Sequence, residues 1–221
     1  MAILKDSKTL CIVIWLGLYD QTLIDSYHEK LLTAMTTDRR EIVVASKVKI
    51  SKNPEKRSKD HIKAGIEEPA KLAKKIKDKF NTKELVTTLK YRYTAIDVIK
   101  GIRTYANNLY KAWEIDHIEV YAPSIFIYMY MYLIPKYLWP VVGYAKDEYQ
   151  MYCALIDVFK TTSIDRSGDS FKISVWKFDF IGVCAENEDE DWHNAMFSSL
   201  RELICDRYPD LNEDYADRKK L

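Results

Sequence analysis

Leu10-Cys11-Ile12-Val13-Ile14-Trp15-Leu16-Gly17-Leu18 is the stretch on which the fold turns. It is short, continuous and rich in β-branched and aromatic residues, the signature of a strand buried on both faces. Helical spacing follows at once, because Leu23, Ile24, Tyr27, Leu31 and Met35 recur at three and four residues. Residues 41–50 then alternate, with Ile42, Val44, Val48 and Ile50 on one face and Lys47 and Lys49 on the other.

The same alternation of periods continues outward. Residues 51–60 hold no apolar side chain and read as a solvated loop. Ile66, Leu72, Ile76 and Phe80 mark a Lys-rich helix that Pro69 is expected to interrupt. Leu85, Leu89, Tyr91 and Tyr93 form one side of a strand, and Ile99, Ile102, Ala106, Leu109 and Trp113 another helix. Ile118 to Tyr121 reads as a short strand, while Ile127 to Leu133 fits strand or helix equally. A helix through Tyr149, Tyr152, Leu155, Ile156 and Phe159 precedes Phe171 to Val183, which is one long strand or a tight pair. The last helix runs through Trp192, Met196, Phe197, Leu200 and Ile204. Strands alternating with helices predict a mixed α/β fold, a single domain over residues 1–221. Its sheet is expected to be mainly parallel, of about five strands flanked by helices, with α+β as the alternative.

Composition excludes several classes. The 221 residues are 48% hydrophobic and 13% aromatic, too rich in packing groups for a disordered chain. Cys11, Cys153, Cys184 and Cys205 show no CxxC spacing, which argues against a disulfide scaffold or zinc ribbon and for an intracellular, cytoplasmic setting. The six glycines are widely scattered, so no Gly-rich phosphate loop is present. Residues 120–145 are long enough to span a bilayer, but Pro123, Pro135 and Pro140 break them, and no stable membrane span is expected.

Charge is the most informative feature. The chain carries only +1, yet residues 39–111 sum to +12 and residues 112–221 to −9. Lys52, Lys56, Arg57, Lys59, Lys71, Lys74, Lys75, Lys77, Lys79, Arg92 and Arg103 are the candidates for contact with RNA, DNA or another polyanion. Tyr91, Tyr93 and Tyr105 lie among them and suit base stacking. The same cations also fit an ordinary solvated helix face, or head-to-tail contact between the basic part of one copy and the acidic part of another.

Catalytic constellations are sparse. None of His28, His61, His117 and His193 sits at a ligand spacing from another His or Cys. Cys184, His193 and Cys205 could meet only in three dimensions, and Glu186 to Asp191 reads as a solvated acidic turn capping the last helix. Asp165 and Asp169 near Lys172, or Asp116 and Glu119 beside His117, are carboxylate sets of the kind nucleases use. In a parallel sheet a ligand would sit beyond the strands' carboxyl ends, at Gly17, Tyr19, Asp20, Thr94 and Ser124. The leading expectation is a non-enzymatic, self-associating structural or interaction protein. It would be coat-like or nucleocapsid-like, as in a viral particle, a homo-oligomer binding nucleic acid without catalytic residue, cofactor or metal. The alternative is a nucleotide- or small-molecule-binding module, or a metal-dependent nuclease, with its site at Gly17, Tyr19, Asp20 and Ser124.

Overall fold

The computed structural model describes residues 9–15, 20–35, 40–47, 59, 66–80, 86–91, 94–112, 117–138, 148–161, 168–186 and 188–212. In chain order these form β1 (Thr9–Trp15), α1 (Gln21–Ala34), β2 (Arg40–Lys47), α2 (Glu68–Phe80), β3 (Val86–Tyr91) and α3 (Ala95–Ala112). They continue as β4 (His117–Pro123), α4 (Ser124–Tyr137), α5 (Glu148–Thr161), β5 (Ser170–Val175), β6 (Phe178–Val183), α6 (Glu190–Arg207) and a closing 3₁₀ turn (Pro209–Asn212). The fold is mixed α/β with a mainly parallel sheet, as the alternation of periods predicts.

One six-stranded sheet runs in the order β3-β2-β1-β4-β6-β5. All neighbours are parallel except the β5–β6 pair, which is antiparallel. The expectation of about five mainly parallel strands holds: β3, β2, β1, β4 and β6 are parallel, and β5 is the antiparallel half of the tight pair that Phe171 to Val183 makes by turning at Trp176 and Lys177.

β1 lies at the centre, and every side chain from Leu10 to Trp15 is buried. Removing each such Leu, Ile or Val from water contributes about 1.5–3 kcal/mol. Its odd residues, Cys11, Val13 and Trp15, meet α1 and α2 through Ile24, Leu31, Leu72 and Ile76. Its even residues, Leu10, Ile12 and Ile14, join the larger core formed with α3, α4, α5 and α6. β2 is likewise buried on both faces, with Val43 and Ala45 opposite Ile42 and Val44. That replaces the one-sided strand expected there, since a strand inside a helix-covered parallel sheet has no wet face.

Local chemistry sets the element boundaries. Asp20 caps α1, its Oδ1 accepting from the backbone N–H of Thr22 at 2.8 Å and Leu23 at 3.1 Å. Thr94 and Asp97 form a reciprocal box at the start of α3, with Thr94 N–H donating to Asp97 at 2.8 Å and Asp97 N–H to Thr94 at 3.2 Å. Pro69 does not break its helix; it falls in the first turn of α2, where an N–H has no helical partner to lose. The ambiguous stretch around Ile127 is helical, running straight from Pro123 into α4. That helix has 14 residues with Pro135 inside it, and no helix among the described residues is long and apolar enough to cross a membrane.

Candidate functional site at the carboxyl ends of β4 and β6

Register builds the site. Pro123 of β4 is level with Val183 of β6, so the next residues, Ser124 and Cys184, emerge side by side at the carboxyl edge of the sheet. Ser124 opens α4, and Tyr128 lies four residues on, on the same face of that helix. Asp189 caps α6 by accepting from Trp192 N–H at 2.8 Å. This cap places Glu188 just outside the helix and His193 just inside it.

These side chains converge. The Ser124 hydroxyl donates to Glu188 Oε2, and His193 Nε2 lies 4.0 Å from the same oxygen. The Tyr128 hydroxyl is 2.7 Å from His193 Nδ1, which turns Nε2 toward Glu188 and toward Cys184 Sγ at 3.9 Å. Burial and the nearby Cys184 and Glu188 raise the Tyr128 phenol far above its ordinary pKa, so it remains a hydroxyl. Ser124, Cys184, Glu188 and His193 are all buried, His193 completely. Phe171 stands edge-on to the imidazole at 5.1 Å between ring centroids, and Trp192 at 4.9 Å.

Two further groups frame the cluster. Lys30 of α1 donates to the Cys184 carbonyl at 3.2 Å and pairs with Asp169 at 3.3 Å, so its charge stays on the backbone side. Gly182 faces Phe171 across the β5–β6 pair, and a Cβ there would overlap the Phe171 ring. That ring stacks on Tyr128, so the missing side chain at position 182 seats the aromatic wall around His193.

A second polar cluster occupies the other end of the same strands. His117 Nε2 and Asp179 Oδ2 are 3.0 Å apart, Lys172 lies 3.6 Å from that oxygen, and Tyr121 donates to Glu119 at 3.0 Å. The Asp179 hydrogen bond raises the His117 pKa. Asp179 is lowered despite its partial burial, because His117, Ser174 and Lys172 all favour its charged form.

The expected site residues fare unevenly. Asp20 and Ser124 stand at carboxyl ends of β1 and β4, while Gly17 and Tyr19 lie outside the described residues. Asp20 is spent on capping α1. Ser124 is the member that joins the cluster. Cys184 and His193 come together as a three-dimensional site would require, but with Glu188 in place of Cys205. Glu188 is thus buried, not part of a solvated turn, because Ser124 supplies its hydrogen bond. The nuclease-type sets are partly reassorted: Glu119 does lie beside His117, with Asp179 as the third member, whereas Lys172 faces Asp179, Asp169 faces Lys30, and Asp116 and Asp165 lie outside the described residues.

The candidate polyanion residues divide between two faces. Lys52, Lys56, Arg57 and Arg92 lie outside the described residues, and Lys59 is exposed. Lys71, Lys74, Lys75 and Lys79 are exposed on α2 and Lys77 half-buried, whereas Arg103 is exposed on α3, across the sheet. Lys71 pairs with buried Glu68 at 2.8 Å. Lys79 donates to the carbonyls of Leu32 and Met35 at the end of α1.

Sequence reading missed Glu188, Tyr128 and Lys30. The usable signal was the short span from the last strand to the last helix, which forces Cys184, Glu188 and His193 into one corner. Comparison with protein-family models, curated proteins and solved structures found no match to this chain.

Proposed function

We propose that this chain is a small-molecule-binding α/β module whose site lies at the carboxyl ends of β4 and β6. Its ligand carries hydroxyl or amino groups and no phosphate. The observation that carries this reading is the buried chain of polar groups from Ser124 through Glu188 and His193 to Tyr128. Buried polar side chains are costly unless satisfied, and concentrating them at one strand edge of an apolar core is how ligand pockets gain specificity. The edge is also where α/β sheets bind ligands, next to the point between β1 and β4 where the strand order reverses.

Charge argues against phosphate. The N-terminus of α1, the position a phosphate occupies in nucleotide folds, already holds the Asp20 carboxylate, and that of α6 holds Asp189. A carboxylate beside an imidazole and a thiol favours neutral or cationic partners. The test is a fragment library, half of it phosphorylated and half bearing hydroxyls or amines, screened by amide chemical-shift perturbation. The expected result is that unphosphorylated fragments move the amides of Ser124 and Glu188, and that Ser124→Ala abolishes the effect. Perturbation confined to other surfaces, or by phosphorylated fragments alone, overturns it.

A second reading, polyanion binding, is supported by the exposed Lys59, Lys74 and Lys75. A generic single-stranded oligonucleotide should then bind with an affinity that falls steeply as salt rises; a flat response removes it.

A further inference from the structure

We infer that Cys184, Glu188 and His193 form a binding site for a divalent transition-metal ion of the zinc type. The inference deepens the proposed ligand site, since the ion would lie within it.

The donor set comes first. One thiol, one carboxylate and one imidazole offer ligand atoms that all lie within 4.8 Å of one another, and all three residues are buried. Zinc takes sulfur at about 2.3 Å and nitrogen or oxygen at about 2.0–2.2 Å in tetrahedral array. Neighbouring ligands in such a shell are therefore about 3.3–3.6 Å apart. The observed separations from His193 Nε2 are 3.9 Å to sulfur and 4.0 Å to oxygen. A contraction of roughly half an ångström brings these two pairs into range, and the sulfur–carboxylate pair, within 4.8 Å, closes by about 1.2 Å at most. Thiolate with imidazole selects zinc over magnesium or calcium, which require oxygen ligands.

The outer groups fit the same assignment. Ligating histidines are held by a hydrogen bond on the other ring nitrogen, and Tyr128 meets His193 Nδ1 at 2.7 Å, leaving Nε2 as the inward donor. Ligating carboxylates are themselves hydrogen-bonded, and Ser124 donates to Glu188. Lys30, the cation of α1 nearest the cluster, is engaged with the Cys184 carbonyl and Asp169, so it does not take the ion's place. Three protein ligands leave a fourth position, the arrangement of zinc sites that hold an exchangeable ligand. Ser124 adjoins the shell through its hydrogen bond to Glu188.

The experiment uses the full chain, reduced and stripped with a chelator, then titrated with Zn²⁺ against a chromophoric chelator and with Co²⁺ under visible and near-ultraviolet absorption. Stoichiometric binding is expected, with tetrahedral Co²⁺ bands and a sulfur-to-cobalt charge-transfer band. Cys184→Ser should remove that band, His193→Gln should weaken Zn²⁺ by about a hundredfold or more, and Tyr128→Phe by about tenfold. Cys205→Ser should change nothing, and circular dichroism confirms that each variant is folded. Absence of stoichiometric binding overturns the inference, as does a charge-transfer band that survives in Cys184→Ser. Repeating the fragment screen with and without Zn²⁺ separates the two proposals. Metal binding without fragments at Ser124 sustains the metal site and removes the small-molecule reading; fragments without metal binding do the reverse.

Discussion

Strands β4 and β6 carry a histidine–carboxylate cluster at each end, and the two ends behave differently. At the carboxyl end, His193 is fully buried, walled by Phe171 and Trp192, and linked to Ser124 through Glu188. At the amino end, His117 is about a third exposed and pairs directly with Asp179, with Lys172 close by. Both ends hold similar chemistry; what differs is access to water. In the amino-end cluster Asp179 is buried, but His117 and Lys172 reach solvent and the carboxylate keeps Ser174 and Lys172 as partners besides the imidazole, so the histidine's own share is small. In the buried cluster, hydrogen bonds and packing hold the groups, which is the setting in which polar side chains are arranged for a ligand.

The largest contrast should appear on deleting each imidazole. His193→Ala removes a buried ring packed on three aromatics and strands the Tyr128 hydroxyl, and should cost about 3–4 kcal/mol. His117→Ala should cost less than about 1 kcal/mol. Urea unfolding measures both, and equal losses would break the comparison. Next in size is Gly182→Ala, which touches only the buried end. Its methyl would push Phe171 into Tyr128 and His193, an overpacking worth about 2 kcal/mol. An unchanged denaturation midpoint would show that the aromatic wall is soft.

The smallest effect is electrostatic and separates the histidines by pH. His117 is raised by Asp179, so its contribution is complete below its ordinary pKa of 6.5 and fades as pH rises through the higher folded value. His28, between α1 and α2, is the reverse: burial, with Lys75 nearby, pushes it down to about 4. Its contribution is present above pH 6.5 and is lost as pH falls toward 4, because the unfolded chain takes up the proton first. Imidazole resonances followed by NMR should show His117 titrating above 6.5 and His28 near 4. In Asp179→Asn, His117 should titrate lower and His28 should stay where it is. A His117 midpoint that ignores Asp179 would dissolve the ion pair.

Sequence made the architecture legible wherever burial is two-sided or periodic. The run at Leu10 identified the central strand, and the 3.6-residue spacing from Leu23 to Met35 identified α1, because apolar pattern is what the sheet and its helices select. Pro69 misled because its effect depends on position: in the first turn it starts a helix, and only further in does it break one. Ser124 could be named, since strand ends follow from strand assignments. Glu188 could not, because its neighbours Glu186, Asp189, Glu190 and Asp191 are exposed and nothing in composition singles out the one carboxylate turned inward. Tyr128 was hidden in a stretch where tyrosines at every second residue imitate a strand.

The level pairing of Pro123 with Val183 has one more consequence. Side chains alternate along a strand, so a slip of β6 by a single position would send Cys184 to the opposite side of the sheet, away from Ser124 and Tyr128. The cluster can therefore form only when that strand has docked in the correct frame. Any spectroscopic signal from it would double as a gauge of correct chain assembly during refolding, rising when β6 docks in register and silent in misaligned forms.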